Sequence, residues 1–163
     1  MAHGCIAKIS NEEFVIIGGF DGTSLTARMV KFNTRNRTWY ENQNALVQGR
    51  SYHGCTFING NVIVSGGIDG NLDDLDSTEI INVQTGKSRI VGRMSEQRVG
   101  LALVTAGNRV LAIGGYTGFG VGYRGFDGNY LSSVEEFNIE EETWSKTPFS
   151  MNEAAAYLKF AIN

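Results

Sequence analysis

Three glycine doublets at one fixed interval constrain this chain more than any other feature. Gly18-Gly19, Gly66-Gly67 and Gly114-Gly115 are separated by 48 residues in both intervals, and each closes an apolar run: FVIIGGFDG, VIVSGGIDG and VLAIGGYTG. A self-similar period of about 20–50 residues is the mark of a repeat architecture, in which one supersecondary unit recurs and buries its faces against its neighbours. Other positions keep step with the doublets. Upstream, AHGCIAKI, YHGCTFI and VGLALVT occupy the same place; downstream, Phe32-Asn33, Ile81-Asn82 and Phe137-Asn138 do, each followed seven residues after its apolar member by Trp39, Ser88 and Trp144. The Asn59-Gly60 pair before the second doublet is a two-residue hairpin signal, and Ala106-Gly107-Asn108 fills that place before the third. The chain has 21 glycines and one proline, without a collagen period, so tight turns are frequent.

Each unit reads as four short strands, A to D, joined by turns. In the first unit the expected strands are about His3–Ile9, Phe14–Gly18, Arg28–Asn33 and Thr38–Gln43. In the second they are about His53–Ile58, Asn61–Ser65, Thr78–Asn82 and Ser88–Gly92; in the third, about Gly100–Thr105, Arg109–Ile113, Ser133–Asn138 and Thr143–Lys146. Strand B is apolar at nearly every position. Such a strand is buried on both faces, and in an antiparallel sheet this requires another sheet on each side. Blades radiating from a common axis supply that arrangement, so the expected fold is all-β, a partial β-propeller of about three four-stranded antiparallel blades. We take residues 1–163 as a single domain, with blade 1 about 1–46, blade 2 about 47–94, blade 3 about 95–151 and an extra A strand in 152–163. Propellers close with about 4–8 blades, so the chain is expected to be a fragment or a half-ring, and to need further blades from the same protein or a second copy.

The doublet that ends strand B, the apolar-Asn pair of strand C and the Trp that opens strand D together resemble the kelch repeat, over essentially the whole sequence. The resemblance implies a propeller with A lining the central channel and D outermost, and a protein-interaction module more often than an enzyme. It also implies that the B–C and D–A loops share one face, which commonly binds ligands. The BTB-type adaptor domains that accompany many kelch repeats are absent from this sequence.

The doublets Gly18, Gly19, Gly66, Gly67, Gly114 and Gly115 are read as structural. A phosphate cradle would need a helix N-terminus immediately after them, and no helical period follows. Trp39 and Trp144 are expected to pack between blades. The third B–C connection is longer than the others and reads YTGFGVGYRGFDGNYLSS; its Tyr116, Phe119, Tyr123, Arg124, Phe126 and Tyr130 are candidate partner contacts, since aromatics and arginine dominate interface hot spots. Packing of the loop on its own aromatics is the competing reading. From the D–A loops, Arg50, Ser51, Tyr52 and Arg98 join the candidate set. Arg50, Arg98 and Arg124 on one face would suit an acidic peptide, because guanidinium grips a carboxylate in two places. Asp69, Asp73, Asp74 and Asp76 would oppose such a patch or serve a basic partner, and are read foremost as a solvated loop.

The net charge of −3 and the scattered Lys and Arg residues exclude nucleic acid and a membrane surface as expected partners. No catalytic residues, cofactor or metal site are assigned. Tyr52-His53 has the placement of a copper-ligand pair in galactose-oxidase-like propellers, which keeps an enzyme with a channel-centred site as an alternative; a self-assembling scaffold is a third. Cys5 and Cys55 are read as unbridged buried thiols at equivalent positions of splayed blades, which points to a cytoplasmic setting. The triplet Asn36-Arg37-Thr38, an N-glycosylation acceptor pattern, supports an extracellular alternative.

Overall fold

The computed structural model describes residues 2–119 and 128–158. The first unit forms β1 (Cys5–Lys8), β2 (Glu13–Ile17), β3 (Met29–Asn33) and β4 (Thr38–Asn42). The second forms β5 (Gly54–Ile58), β6 (Asn61–Ser65), β7 (Ser77–Asn82) and β8 (Ser88–Arg93). The third forms β9 (Ala102–Ala106), β10 (Arg109–Ile113), β13 (Ser133–Asn138) and β14 (Thr143–Ser150), with a short pair, β11 (Tyr116–Thr117) and β12 (Asn129–Tyr130), at the base of its long B–C connection. Each set of four is an antiparallel meander in chain order, and these are three blades. Strand β14 outruns the expected end at Lys146 because a register shift in its pairing with β13 lets it continue to Ser150.

Alternation of side chains across each strand decides what the blades bury. Ala7, Val15, Ile17 and Met29 of blade 1 interlock with Cys55, Val62, Val64 and Ile81 of blade 2 in one core. The opposite face of blade 2 gives Ile58, Ile63 and Ile80 to a second core, with Leu103, Val110, Ala112 and Phe137 of blade 3. Among the described residues, only blade 2 has neighbours on both sides, and its B strand is buried from Val62 through Ser65. In β2 and β10 burial alternates, because Ile16, Leu111 and Ile113 lie on faces that no described blade covers.

The doublets are required by close backbone approach. Gly67 has φ 90°, and a Cβ there would be driven into the carbonyl oxygen of Ser51 while standing 2.9 Å from the His53 amide nitrogen. Gly66 in turn accommodates the Arg98 carbonyl, and the Gly67 amide donates to that oxygen at 2.8 Å. The doublet is therefore the point where the lead-in of one blade crosses the end of the preceding blade's B strand.

Two tryptophans with the same repeat position behave differently. The Trp144 ring packs into the core between blades 2 and 3, and its Nε1 donates to Thr78 Oγ1 of blade 2 at 2.9 Å. Trp39 does not pack between described blades as the sequence suggested. It packs against Phe32 in a tilted contact, ring centroids 4.1 Å apart, and is 60% exposed, because its repeat position faces away from blade 2. Ile6, 65% exposed, lies on the same outward face.

The cysteine reading is corrected outright: Cys5 and Cys55 form a disulfide, with Cα atoms 5.9 Å apart. The matching His-Gly-Cys triplets conceal a one-residue offset. Cys5 pairs with Ile17, whereas the residue paired with the equivalent Ser65 is Gly54. A one-residue step in a strand reverses the side chain's face. Cys5 therefore points forward to blade 2 and Cys55 back to blade 1, and the two sulfurs meet near the axis, where the A strands converge.

For the extra A strand expected in 152–163, residues 152–158 contain no strand, and 159–163 lie outside the described residues. The segment up to Tyr157 repeats the lead-in of a blade: Gly115 donates to the Ala155 carbonyl as Gly67 does to Arg98 and Gly19 to Arg50.

Candidate functional site

Each blade is reached through one residue in the left-handed region. His3, Tyr52, Gly100 and Tyr157 occupy this place, with φ of 57°, 56°, 65° and 59°. For the three non-glycines this conformation costs on the order of 1 kcal/mol each. A backbone relay around the axis supports it. Tyr52 donates its amide to the His3 carbonyl at 2.9 Å, Gly100 donates to Tyr52 at 2.7 Å, and Tyr157 donates to Gly100 at 2.6 Å.

The relay brings aromatic side chains together at the channel mouth. The His3 and Tyr52 rings stack at 4.2 Å, Phe119 lies 5.6 Å from Tyr52, and Tyr157 meets Tyr52 edge-on at 6.0 Å. Gly100 makes room for Tyr157, since a Cβ at this residue would stand 2.7 Å from the Tyr157 ring. Phe119 is held by blade 2, where one Asp74 carboxylate oxygen accepts the amides of Gly118 at 2.6 Å and Phe119 at 3.0 Å. Beside them the Tyr116 and Tyr130 rings pack edge-on at 5.3 Å. Tyr130 and Tyr157 are 59% and 51% exposed. Burial, then the neighbouring tyrosines and Asp74, hold the Tyr157 phenol above its ordinary range, so it stays neutral.

Tyr52, Tyr116, Phe119 and Tyr130 thus lie on the expected loops and close to one another. Tyr123, Arg124 and Phe126 lie outside the described residues. Arg50, Ser51 and Arg98 are placed differently from the sequence expectation: all three are buried. Ser51 is held by reciprocal backbone hydrogen bonds with Ile68. Arg98, 0% exposed, donates to Glu135 from Nε at 3.2 Å and Nη2 at 3.1 Å, and to the Gly114 and Ser133 carbonyls at 2.7 and 3.1 Å. Arg50, 1% exposed, repeats this with Glu79 at 2.8 Å and with the Gly66 and Ser77 carbonyls at 3.2 and 3.1 Å. Each arginine straps its D–A loop to the doublet and C strand of the following blade, so neither guanidinium is offered to an acidic peptide. Of the four aspartates read as a solvated loop, Asp73 is exposed and Asp76 half-buried, whereas the other two are not solvated. Asp69 and Asp74 are buried, and Asp69 accepts the amides of Asn71 and Asp73.

The Tyr52-His53 pair is likewise split by its surroundings. Tyr52 turns to the channel mouth, while the His53 ring is buried with Nε2 3.1 Å from the Ile17 carbonyl, to which the neutral ring donates. Burial, reinforced by the charge of Arg50, depresses its pKa to about 3. The folded state therefore refuses a proton that the unfolded chain takes up near pH 6.5. Stability is unaffected above that pH and falls progressively as pH drops from about 6.5 towards 3. Between pH 7 and 4.5 we expect the chain to lose about 2–3 kcal/mol more than a His53→Gln variant, measured by urea unfolding at both pH values. Equal losses would contradict the buried neutral imidazole.

The Kelch-repeats domain model described as KLHDC2/KLHL20/DRC7 matches residues 1–160. The chain belongs to the kelch-repeat family. Its curated relatives include a kelch repeat and BTB domain-containing protein of Caenorhabditis elegans, 26% identical over 116 residues. The kelch repeat-containing protein kel-10 of the same organism is 25% identical over 116 residues. Each match covers 68% of this chain, which spans about a fifth of the length of these relatives. Kelch repeats are generally protein-interaction modules, and in these blades the aromatic cluster sits where B–C and D–A loops meet.

Sequence reasoning missed His3 and Tyr157 as members of the cluster. Both hold the lead-in place that Tyr52 occupies, but the His-Gly-Cys match aligns His3 with His53 by identity, so the correspondence emerges only from the strand pairing and the backbone.

Proposed function

We propose that this kelch chain binds a protein partner through the face formed by its B–C and D–A loops, and that it does so without catalysis. One observation carries the reading: Tyr52, Phe119 and Tyr157, contributed by three separate segments, converge at the channel mouth. Rigidly held aromatics with accessible rings are the residues from which interface hot spots are built. Tyr123 and Arg124 of the third B–C connection, which lie outside the described residues, are further candidates for the same interface. The outward faces of blades 1 and 3, with Ile6, Trp39 and Leu111, are proposed to pack against further blades of the full-length protein or a second copy, since apolar patches of this kind rarely stay open to water.

The test is affinity capture with the full-length protein. A partner held by the parent is expected to be lost on Tyr157→Ala, weakened on Tyr123→Ala and Arg124→Ala, and retained on Arg35→Ala, which lies on the C–D turn. Retention through Tyr157→Ala would remove the channel mouth from the interface. The enzyme reading keeps no comparable support, since His53 is committed to the Ile17 carbonyl. For compartment, the paired cysteines withdraw the free-thiol argument for a cytoplasmic setting, and the exposed Asn36 favours the extracellular alternative.

A further inference from the structure

The C–D turn of blade 1 takes no part in the proposed interface. We infer that Asn36 in this turn carries an N-linked glycan, attached at the end of the blade remote from the aromatic cluster. This rests on the extracellular reading of the compartment and specifies a modification of the chain there. Asn36-Arg37-Thr38 is the one Asn-x-Ser/Thr triplet in the sequence, and all three residues are exposed. The Cys5–Cys55 disulfide is an independent observation that points the same way. Disulfides form and persist in the oxidising compartments of the secretory route, which is also where such triplets meet their transferase.

The same turn recurs in every blade, which shows what each of its positions does. Asn33 Oδ1 accepts the amides of Arg35 at 3.0 Å and Asn36 at 3.2 Å. Asn82 does the same for Gln84 and Thr85, and Asn138 for Glu140 and Glu141. Arg37, Gly86 and Glu142 follow in the left-handed region, with φ of 59°, 69° and 56°. Thr85 and Glu141 therefore hold the place of Asn36. Both stay exposed although a described blade packs in front of each of their blades. A blade set before blade 1 would thus leave Asn36 open as well, as a bulky surface modification requires. Within the turn, Asn36 Oδ1 accepts Thr38 Oγ1 at 2.7 Å and the Thr38 amide at 3.2 Å. Nδ2, the atom that takes the sugar, has no hydrogen-bond partner among the described residues. The turn closes on the Asn33–Thr38 pair, and Asn33 is set against Glu13 at the start of β2. The doublet Gly18-Gly19 lies at the other end of that strand, and Tyr52 leads into β5 at the doublet end of blade 2. A glycan on Asn36 leaves the aromatic cluster uncovered.

The transfer uses an oligosaccharide carried on a lipid diphosphate. Nδ2 bonds to C1 of the first sugar, the C1–O bond breaks, its electron pair leaves with the diphosphate, and one Nδ2 proton passes to a base of the transferase. The experiment takes the full-length protein, expressed from its own coding sequence in animal cells. Release of the glycan by an N-glycosidase in heavy-oxygen water, followed by peptide mass spectrometry, reads occupancy at Asn36. Alkylation before reduction reads the state of Cys5 and Cys55 in the same sample. Glycan on Asn36 is expected in the parent and in Thr38→Ser, which keeps the hydroxyl. Thr38→Val keeps the β-branched shape that suits the start of β4 but removes the hydroxyl, and occupancy is expected to fall at least tenfold. An intact disulfide in Thr38→Val shows that blades 1 and 2 still meet. Unmodified Asn36 in a parent whose cysteines are oxidised would overturn the glycan and leave the extracellular reading standing. Unmodified Asn36 with both thiols free would overturn the two together. Full occupancy in Thr38→Val would contradict recognition of the triplet.

Discussion

Replacing Arg98 with methionine is expected to destabilise the chain by about 3–5 kcal/mol, although a charged loop residue at a surface would cost within about 0.5 kcal/mol. Methionine keeps the length and apolar stem of the side chain but removes every donor of the fork. Glu135 would then be a buried carboxylate with the Ser95 amide, at 2.7 Å, as its remaining neighbour among the groups described. The carbonyls of Gly114 and Ser133 would lose a donor as well. Most of the cost is this orphaned charge, so Arg98→Met with Glu135→Leu should recover a large part of it, and the double-mutant cycle measures how much. Arg50 and Glu79 form the equivalent strap in blade 2, where Glu79 also accepts the Val47 amide at 2.7 Å. Urea unfolding followed by Trp144 fluorescence reads both effects. A cost near that of a surface residue, or no recovery in the cycle, would mean that these arginines face solvent. Blade 1 carries Val30 at the strand C position of Glu79 and Glu135, so the strap is absent there, and the burden of holding blade 1 shifts to other links.

The second large effect concerns one of those links. Cys5 and Cys55 are 50 residues apart in sequence and tie the A strands of blades 1 and 2 at the axis. Opening a loop of that length restores to the unfolded chain an entropy worth about 4 kcal/mol in the chain-entropy model, within the 2–5 kcal/mol typical of lost native disulfides. Cys5→Ala with Cys55→Ala is therefore expected to lower stability by about that amount. Dithiothreitol should do the same to the parent and nothing to the double variant. Equal stability of oxidised and reduced parent would show that the bridge does not constrain the unfolded state.

The sequence made the architecture legible because repetition averages out local ambiguity. Three doublets at one spacing located the B strands to within a residue of Glu13–Ile17, Asn61–Ser65 and Arg109–Ile113. Relations between strands were harder to read. The His-Gly-Cys match aligned Cys5 with Cys55 by identity, whereas the pairing with strand B sets Cys5 against Gly54, and one residue of offset decided whether the thiols could meet. Arg50 and Arg98 were found as special residues but given the wrong neighbours. The available clue was a glutamate at the same C-strand position in two units, Glu79 and Glu135, flanked by apolar residues: a charge on a buried face needs a counter-charge. Trp39 and Trp144 share a sequence context, and their environments diverge because one has a blade beside it and the other has none. The left-handed backbone of His3, Tyr52 and Tyr157 had no sequence signal, since a non-glycine in that region is held there by the relay and not by its own preference.

The central claim is that blade 2 is sandwiched and its neighbours are covered on one face only. Native-state hydrogen exchange, read residue by residue, tests it most directly. Amides of Val62, Ile63 and Val64 in β6 are expected to exchange most slowly, at or near the global unfolding limit, with Ile16 in β2 and Leu111 in β10 opening by lower-energy local fluctuations. If Val62–Val64 exchanged as fast as the flanking B strands, or faster, no sheet would be covering both of their faces, and the radial stacking that places the aromatic site would be contradicted.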